Sequence, residues 1–346
     1  MANRKVPFPQ EFYDKLTSRE EIFPRIIGQK RVKEELRSAL LAGRHVILVG
    51  PPGIGKTTLA KSVAEILPAE ELNDCHYHCR PEKPICPECL AGKHKPKPTP
   101  GEERFIRVQG SPDLTAEDLL GDIDPIKALK MGPLSPEAFT PGKIFKANNG
   151  ILFFDEINRC PAKLQNALLQ VLEERKATIA SYDVDFPAEF ILIGTMNPED
   201  NSTEPLSDVF IDRFDIIRMG YPETLEEEKE IVKQNSEAIC EFPEELLEFT
   251  IAFVRNLREN KELEKHPGVR ASIGLYERAQ ANARIRGGDR VLFEDVRKAV
   301  ASVLSHRIRL APTLKYLRSP EEFIRNKFEE HSENNSEILE KFGDGP

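Results

Sequence analysis

Residues 50–57 are Gly50-Pro51-Pro52-Gly53-Ile54-Gly55-Lys56-Thr57, and Thr58 follows them. The apolar run HVILV at residues 45–49 is typical of a buried strand, and residues 58–67 have the pattern of a helix. A strand, the spacing G-x-x-x-x-G-K-T and a helix together form the signature of a phosphate-binding loop. This stretch therefore predicts an α/β fold built around a nucleotide site.

The residue types in this loop suit a nucleoside triphosphate and its metal ion. Glycines allow backbone N–H groups to surround an anion, and the following helix adds the positive end of its dipole. We expect Lys56 to reach the β- and γ-phosphates and the Thr57 hydroxyl to bind Mg²⁺. Residues 50–58 are thus the predicted ATP site, with ATP and Mg²⁺ as cofactors. The alternative is a glycine-rich turn without a ligand.

Length and composition indicate a globular protein of at least two domains. The chain has 346 residues, of which 31% are charged and 39% hydrophobic. No apolar run approaches the ~18 residues of a membrane span, and the first residues lack the apolar centre of a secretory signal. We therefore expect a cytoplasmic protein without a membrane partner. The net charge of −9 argues against nucleic acid as a partner.

A second polar group follows another apolar strand. Residues 151–154, ILFF, precede Asp155 and Glu156. A buried strand that ends in two carboxylates, downstream of a phosphate-binding loop, is the Walker B arrangement. Asp155 is predicted to hold Mg²⁺ through water, and Glu156 to polarise the attacking water. Strands alternate with helices up to residue 221, which predicts a parallel sheet with helices on both faces.

The pattern changes to helices at residue 222. Residues 222–318 are predicted to form a separate all-helical domain, because the apolar residues there recur at helical spacing. Residues 319–346 are polar and acidic, and we expect a partly disordered tail. The predicted core domain is residues 1–221.

Four cysteines lie inside residues 69–103, a short, polar, proline-rich insert. Cys75, Cys79, Cys86 and Cys89 could surround one tetrahedral Zn²⁺, which would provide the order that apolar burial cannot. An iron–sulfur cluster uses the same set of thiolates. A loop of unpaired cysteines is the third possibility.

Together these stretches resemble an AAA+ ATPase over about residues 22–310. Within that superfamily the chain is similar to the branch of MoxR proteins and magnesium-chelatase ATPases, because of PGKIF at 141–145, NGILFFDEINR at 149–159 and LQVLEER at 169–175. In that branch an insert interrupts helix 2 and a hairpin precedes the sensor strand. Residues 121–143 and 176–186 lie at those places.

The resemblance implies roles for three further residues. Asn197 matches sensor 1, which positions the lytic water together with Glu156. Arg213 matches the arginine finger that reaches the γ-phosphate of a neighbouring subunit, a contact typically worth ~10³–10⁵ in rate. Arg270 matches sensor 2 on the lid domain. From the residues alone, Arg213 could instead be a salt-bridge partner or helix cap, and Arg270 a surface arginine.

The implied function is a Mg²⁺-ATP-hydrolysing motor that works as a ring, a hexamer, and remodels or activates a partner protein. A von Willebrand A domain protein is one such partner in that branch. The motor subunit of a magnesium chelatase is the alternative. The acidic charge argues against a nucleic-acid motor, and no Ser–Lys protease domain of the Lon type follows the lid. The four-cysteine insert departs from the common family pattern and leaves the subfamily open.

Overall fold

The computed structural model describes residues 8–132, 135–178, 185–198, 206–335 and 342. The chain forms two compact units. The first comprises Met1–Gly50 with Gly55–Met219, and the second comprises Pro51–Ile54 with Gly220–Pro346. Within the described ranges, no helix combines the length and apolar character needed to cross a membrane.

The first unit alternates strands with helices. Its helices are α1 (Gln10–Thr17), α2 (Lys30–Leu41), α3 (Lys56–Ile66), α4 (Pro87–Leu90), α5 (Ala116–Leu120), α6 (Pro125–Met131), α7 (Lys143–Lys146), α8 (Ala162–Glu174) and α9 (Asp208–Ile211). Its strands are β1 (His45–Val49), β2 (Glu70–Asn73), β3 (Pro96–Thr99), β4 (Phe105–Gln109), β5 (Gly121–Ile123), β6 (Phe139–Pro141), β7 (Gly150–Asp155), β8 (Lys176–Thr178), β9 (Asp185–Pro187), β10 (Phe190–Met196) and β11 (Phe214–Arg218).

Five of these strands form one parallel sheet in the order β11-β1-β10-β7-β4. The central strands are mostly apolar because helices cover both faces of such a sheet. Every residue of β7 except its last is buried. The predicted parallel α/β core is therefore confirmed. Since all five strands run the same way, their carboxyl ends meet at one edge, where ligands bind in open α/β sheets.

In the described part of the first unit, three antiparallel pairs lie outside the main sheet. Strands β2 and β3 bracket the cysteine-rich insert, and β5 pairs with β6 within residues 121–143. Strands β8 and β9 pair at the predicted hairpin, of which residues 179–184 lie outside the described part of the chain. The cysteine-rich insert, residues 121–143 and the predicted hairpin thus each begin and end in a short antiparallel pair.

The second unit is mainly helical. Its elements are α10 (Leu225–Gln234), α11 (Glu244–Glu259), β12 (Leu263–Lys265), α12 (Val269–Ile285), α13 (Phe293–Leu304), β13 (Arg309–Leu310) and α14 (Pro320–Glu333). The short antiparallel pair β12–β13 was not expected from the helical pattern. Helices α11 to α14 share one apolar core, which includes Phe253, Leu275 and Val300. Val232 of α10 packs in a smaller separate cluster with Leu247, Ile251 and Tyr276.

Helix α14 lies where the sequence predicts a disordered tail, and for residues 320–333 that prediction is wrong. Ser319 caps the helix by accepting a hydrogen bond from the backbone of Glu322. Phe323, Ile324 and Phe328 are almost completely buried and belong to the core of the second unit. Because acidic and other polar residues outnumber these three, the average composition of the segment gives no sign of a buried apolar face.

Candidate nucleotide site and cysteine cluster

The predicted phosphate-binding loop connects β1 to α3. Gly53 and Gly55 have φ angles of +81° and +93°, which residues other than glycine rarely adopt. The Nζ atom of Lys56 donates a 2.6 Å hydrogen bond to the Gly50 carbonyl, so the side chain folds back over the loop. Thr57 lies in the first turn of α3, where unpaired backbone N–H groups favour an anion.

Asp155 and Glu156 follow at the carboxyl end of β7. The Thr195 hydroxyl donates to Oδ1 of Asp155 at 2.6 Å and accepts from the backbone N–H of Glu156 at 2.9 Å. Glu156 has a left-handed backbone (φ 55°), which turns the chain sharply at the end of the strand. Thr195 on β10 therefore holds the carboxylate of Asp155 and the backbone of Glu156.

Three further side chains contact the carboxylates. Arg107 Nη2 lies 2.6 Å from Oδ2 of Asp155, and Gln109 Nε2 donates to Oε2 of Glu156 at 3.1 Å. Arg159 Nη1 lies 3.3 Å from the same Glu156 oxygen. Arg107 and Gln109 were not expected at the site from the sequence. Their alternation places both on one face of β4, but only the pairing of β4 with β7 brings that face to the carboxylates.

Asn197 follows β10, the strand between β1 and β7. The backbone N–H of Gly50 donates to the Met196 carbonyl at 3.1 Å. The residue after Met196 is therefore beside the start of the phosphate-binding loop. The structure thus brings Gly50, Asp155 and Asn197 together at one edge of the sheet.

Arg213 is not at this edge. It precedes β11, whose first residue Phe214 pairs with His45 at the opposite end of β1. The five residues of β1 separate the two edges by roughly 16 Å, at about 3.3 Å per residue. Arg213 therefore lies on a different surface from Gly50 of its own subunit.

The surroundings of Arg213 are partly enclosed. Its Nη2 donates to Oε2 of Glu173 at 3.2 Å, and its Nε has no hydrogen-bond partner in the described part of the chain. A cavity of about 480 Å³ borders it and is also lined by Arg44 and Arg175. Arg44 is paired with Asp215 at 3.0 Å. The lining of this cavity therefore combines three guanidinium groups with the carboxylates of Glu173 and Asp212.

Arg270 is the second residue of α12. The second unit contains residues Pro51–Ile54, and within that unit the stem of Arg270 lies against Gly53. A Cβ atom built on Gly53 would be only 2.8 Å from Cγ of Arg270. A side chain at position 53 would thus displace the arginine, which gives this glycine a second reason to be small.

The four cysteines of the insert converge. Their Sγ atoms all lie within 4.8 Å of one another, and within the described ranges this is the one such group of metal-binding residue types. Cys79, Cys86 and Cys89 are buried, and Cys75 is half-buried. Backbone N–H groups of Cys79, Ile85 and Cys89 each point at a sulfur at 3.4 Å. Hydrogen bonds from Cys79 and Cys86 lower the pKa of Cys75, whereas the hydrogen bonds with Cys75 raise the pKa of Cys79 and of Cys86.

Family profiles match three successive parts of the chain. Residues 22–80 match the magnesium chelatase, subunit ChlI, profile, residues 100–216 match the ATPase family associated with various cellular activities, and residues 264–327 match the AAA lid domain. The chain is similar to AAA+ ATPases of the MoxR and magnesium-chelatase branch in all three parts. The resemblance inferred from the motifs is thereby confirmed. Residues 81–99, with Cys86 and Cys89, lie between the first two matches.

Curated relatives of the ATPase span most of its length. The chaperone MoxR1 of Mycobacterium tuberculosis is 28% identical over 82% of this chain and 73% of its own. The magnesium-chelatase 38 kDa subunit of Acidiphilium rubrum is 27% identical over 84% of this chain and 91% of its own. The Bacillus subtilis protein YeaC is 27% identical over 84% and 85%. The identities to the chaperone MoxR1 and to the chelatase subunit are thus nearly equal.

Proposed function

We propose that this AAA+ ATPase hydrolyses Mg²⁺-ATP in a ring of identical subunits, a hexamer, and uses the energy to remodel or activate a partner protein. The observation that carries the ring is the position of Arg213. An arginine at the opposite sheet edge from Gly50 cannot serve the nucleotide of its own subunit, yet it can serve that of a neighbour. A site shared between subunits requires an assembly.

Within one subunit, different residues bind the phosphates, hold Mg²⁺ and activate the attacking water. Lys56 and the backbone of residues 50–58 bind the phosphates, while Thr57 and Asp155 hold Mg²⁺, which neutralises charge on the phosphate oxygens when bound. Glu156 accepts a proton from the attacking water. Asn197 orients that water, because it leaves the sheet beside the loop that holds the γ-phosphate.

Two arginines complete the proposed site. Arg213 stabilises the negative charge that spreads over the transferred phosphoryl group of the neighbouring subunit. Arg270 senses the nucleotide through the loop, since its stem rests on Gly53 within the same unit. A change in the loop on hydrolysis would therefore reach α12 directly.

The partner is proposed to be a protein. Helix α6 lies in the insert at residues 121–143, and its Ile126, Leu129 and Met131 are 65%, 90% and 59% exposed. Exposed apolar side chains grouped on one short helix are typical of a protein-binding element. The similarity to MoxR1 favours a chaperone-like role, and a von Willebrand A domain protein is the partner we would test first.

A magnesium-chelatase motor subunit is the second candidate. It is favoured by the subunit ChlI profile on residues 22–80 and by the Acidiphilium rubrum relative. Co-purification with the Glu156→Gln variant, which should hold ATP and its partners, separates the two. A von Willebrand A protein without tetrapyrrole chemistry supports the first function, and a large chelatase subunit with ATP-dependent metal insertion supports the second.

The ring and the reaction can be tested together. We expect phosphate release that requires Mg²⁺, and sedimentation at the mass of six subunits when ATP is bound to the Glu156→Gln variant. Full turnover by a dilute species of 39.2 kDa, the mass of one chain, would contradict the shared site.

We also propose that the four cysteines bind one structural Zn²⁺. Four convergent sulfurs, three of them buried, match a closed tetrahedral site. Elemental analysis of protein purified without air should give one zinc per chain. Iron with acid-labile sulfide would instead establish an iron–sulfur cluster, and four titratable thiols without metal would exclude the site.

A further inference from the structure

The cysteine cluster belongs to the core of the first unit. From the sequence we expect a polar insert held by its metal alone, but Tyr77, Cys79, Cys86 and Cys89 are buried in the same apolar core as Leu152 and Phe154 of β7. The ring of Tyr77 lies 5.6 Å from that of Phe145 on α7. The insert therefore contacts the elements that precede and form the Walker B strand.

Two asparagines join the insert to the start of β7. Asn148 and Asn149 lie between α7 and β7 and are 3% and 8% exposed. The Nδ2 atom of Asn148 donates to the Tyr77 carbonyl at 3.2 Å, and that of Asn149 donates to the His78 carbonyl at 2.9 Å. Both acceptors lie between Cys75 and Cys79. The positions of these carbonyls therefore depend on how the cysteines are held.

The same asparagines bind the chain before β10. Oδ1 of Asn148 accepts from the backbone of Glu189 at 2.8 Å, and the backbone N–H of Asn149 donates to the Glu189 carbonyl at 2.8 Å. Asn149 has a left-handed backbone (φ 58°). Such a conformation persists only where the surroundings determine it. The cysteine loop, β7 and the segment after the hairpin thus meet at one pair of side chains.

A buried arginine provides a second link. Arg104 is completely buried, and its Nη1 donates to the Asn149 carbonyl at 2.6 Å and to Glu70 at 3.2 Å. Glu70 in turn accepts from Nε of Arg80, which follows Cys79, at 2.9 Å. Removing one partner of a buried ion pair leaves a charge without compensation. Displacement of the cysteine loop would therefore disturb Asn149 from two directions.

We propose that metal occupancy of the cysteine cluster sets the turnover number of this ATPase, with Asn148 and Asn149 as the positioning residues. A bound metal fixes the loop from Cys75 to Cys79 and so fixes the carbonyls of Tyr77 and His78. These hold the first residues of β7, whose last residue is Asp155. ATP binding depends mainly on the loop after β1, so it is left intact. This inference rests on the proposed ATPase function.

The first test compares loaded and stripped wild-type protein. Zinc is removed with a chelator under reducing conditions and then restored as Zn²⁺ alone, with kcat, KM and the ATP dissociation constant measured in each state. We expect kcat to fall about 10-fold or more, the usual size of an effect transmitted from groups around a site, and to return with Zn²⁺. ATP affinity should stay within about 2-fold, because the loop after β1 is not part of the coupled network.

The second test leaves all four cysteines in place. Asn148→Ala and Asn149→Ala should still bind one zinc per chain, which shows an intact cluster, yet have a lowered kcat at unchanged ATP affinity. Removing zinc from these variants should lower kcat little further, because the link is already broken. Cys240→Ser, a change in the second unit, is the matched control and should behave as wild type in both metal states.

Several results would overturn the inference. Equal kcat in loaded and stripped protein would show that the cluster is only structural for its own insert. Loss of ATP binding along with turnover would show that the metal holds the whole core and does not act through the asparagines. Zinc-loaded wild type without any ATP hydrolysis would instead contradict the proposed function itself, so the two failures can be told apart.

Discussion

Thr195 and Asp155 share a 2.6 Å hydrogen bond, in which the buried hydroxyl of one strand holds a carboxylate of the next. The same hydroxyl accepts the backbone N–H of Glu156. Thr195→Val removes both bonds while keeping the volume of the side chain. A buried group left without its partner costs about 1–3 kcal/mol. We expect kcat to fall about 10-fold, with ATP affinity nearly unchanged.

Thr195→Ser is the control, because it keeps the hydroxyl and loses only a methyl group. Steady-state phosphate release and calorimetric ATP titration of both variants decide the matter. If the serine variant is as impaired as the valine variant, packing of β10 is responsible and the hydrogen bond is not.

Lys56 and Glu156 should separate ATP binding from hydrolysis. Lys56→Ala removes the fixed positive charge beside the phosphates and should abolish measurable binding. Glu156→Gln keeps the contacts with the phosphates, but an amide cannot accept the proton from the attacking water, so binding should survive while turnover stops. Calorimetry with ATP measures both. Binding by the Lys56 variant as tight as that of wild type would place the nucleotide elsewhere.

Arg213 should act on a neighbouring subunit. Arg213→Ala should leave the ATP affinity of a subunit unchanged and lower turnover by about 10³-fold or more. Mixing it with Glu156→Gln should restore part of the activity, because some interfaces then combine an intact Glu156 with an intact Arg213. Arg44→Ala, on the same cavity, is a matched control for simple loss of charge. Mixed rings without any rescue would indicate that Arg213 acts within its own subunit.

Much of the geometry of the candidate nucleotide site was predictable because its signals are local. The spacing from Gly50 to Thr57 fixes a loop whose backbone chemistry depends on few distant contacts. Asp155 could be placed for the same reason, since an apolar run that ends in two acids has few other uses. The contacts of Arg107 and Gln109 were not predictable, because they depend on which strand lies beside β7. That neighbour is β4, and the order of strands in a sheet cannot be predicted from short stretches of sequence.

The predictions for the cysteine insert and for the segment of α14 were wrong because burial there depends on contacts distant in the chain. Both segments are polar on average, and their apolar residues are too few to establish a pattern over several turns. Burial of Tyr77 against Phe145, and of Phe328 in the helical core, comes from partners distant in the chain. Average composition describes what a segment can bury alone, and neither segment folds alone.

Glu228 should control the stability of the second unit. It is completely buried and accepts hydrogen bonds from Arg258 at 2.7 and 2.5 Å and from Ser272 at 2.6 Å. Glu228→Gln leaves Arg258 without its counter-charge, which we expect to cost about 3–5 kcal/mol. Arg258 also donates to the Pro267 carbonyl at 2.9 Å, just before α12, so Arg270 should lose its position.

Urea denaturation followed by circular dichroism measures the change in the free energy of unfolding. Glu230→Gln, an exposed change on the same helix, should have almost no effect. A Glu228 variant as stable as this control would show that the ion pair and its apolar surroundings contribute nothing net.

His331 on α14 predicts a pH dependence of the same unit. Its ring lies 4.5 Å from that of Phe249, and burial lowers its pKa below the ordinary value. The folded state therefore prefers the neutral ring, whereas the unfolded chain takes up a proton near pH 6.5. Stability is complete above that pH and should decrease as the pH falls from about 6.5 toward the lowered pKa of the folded state, because only the unfolded state gains the proton there. Below the folded pKa the loss should level off.

His331→Gln should flatten this part of the profile, while His306→Gln, at an exposed position of the same unit, should leave it in place. Urea midpoints measured between pH 5 and 8 provide the comparison, and an unchanged slope in the His331 variant would assign the dependence to other groups.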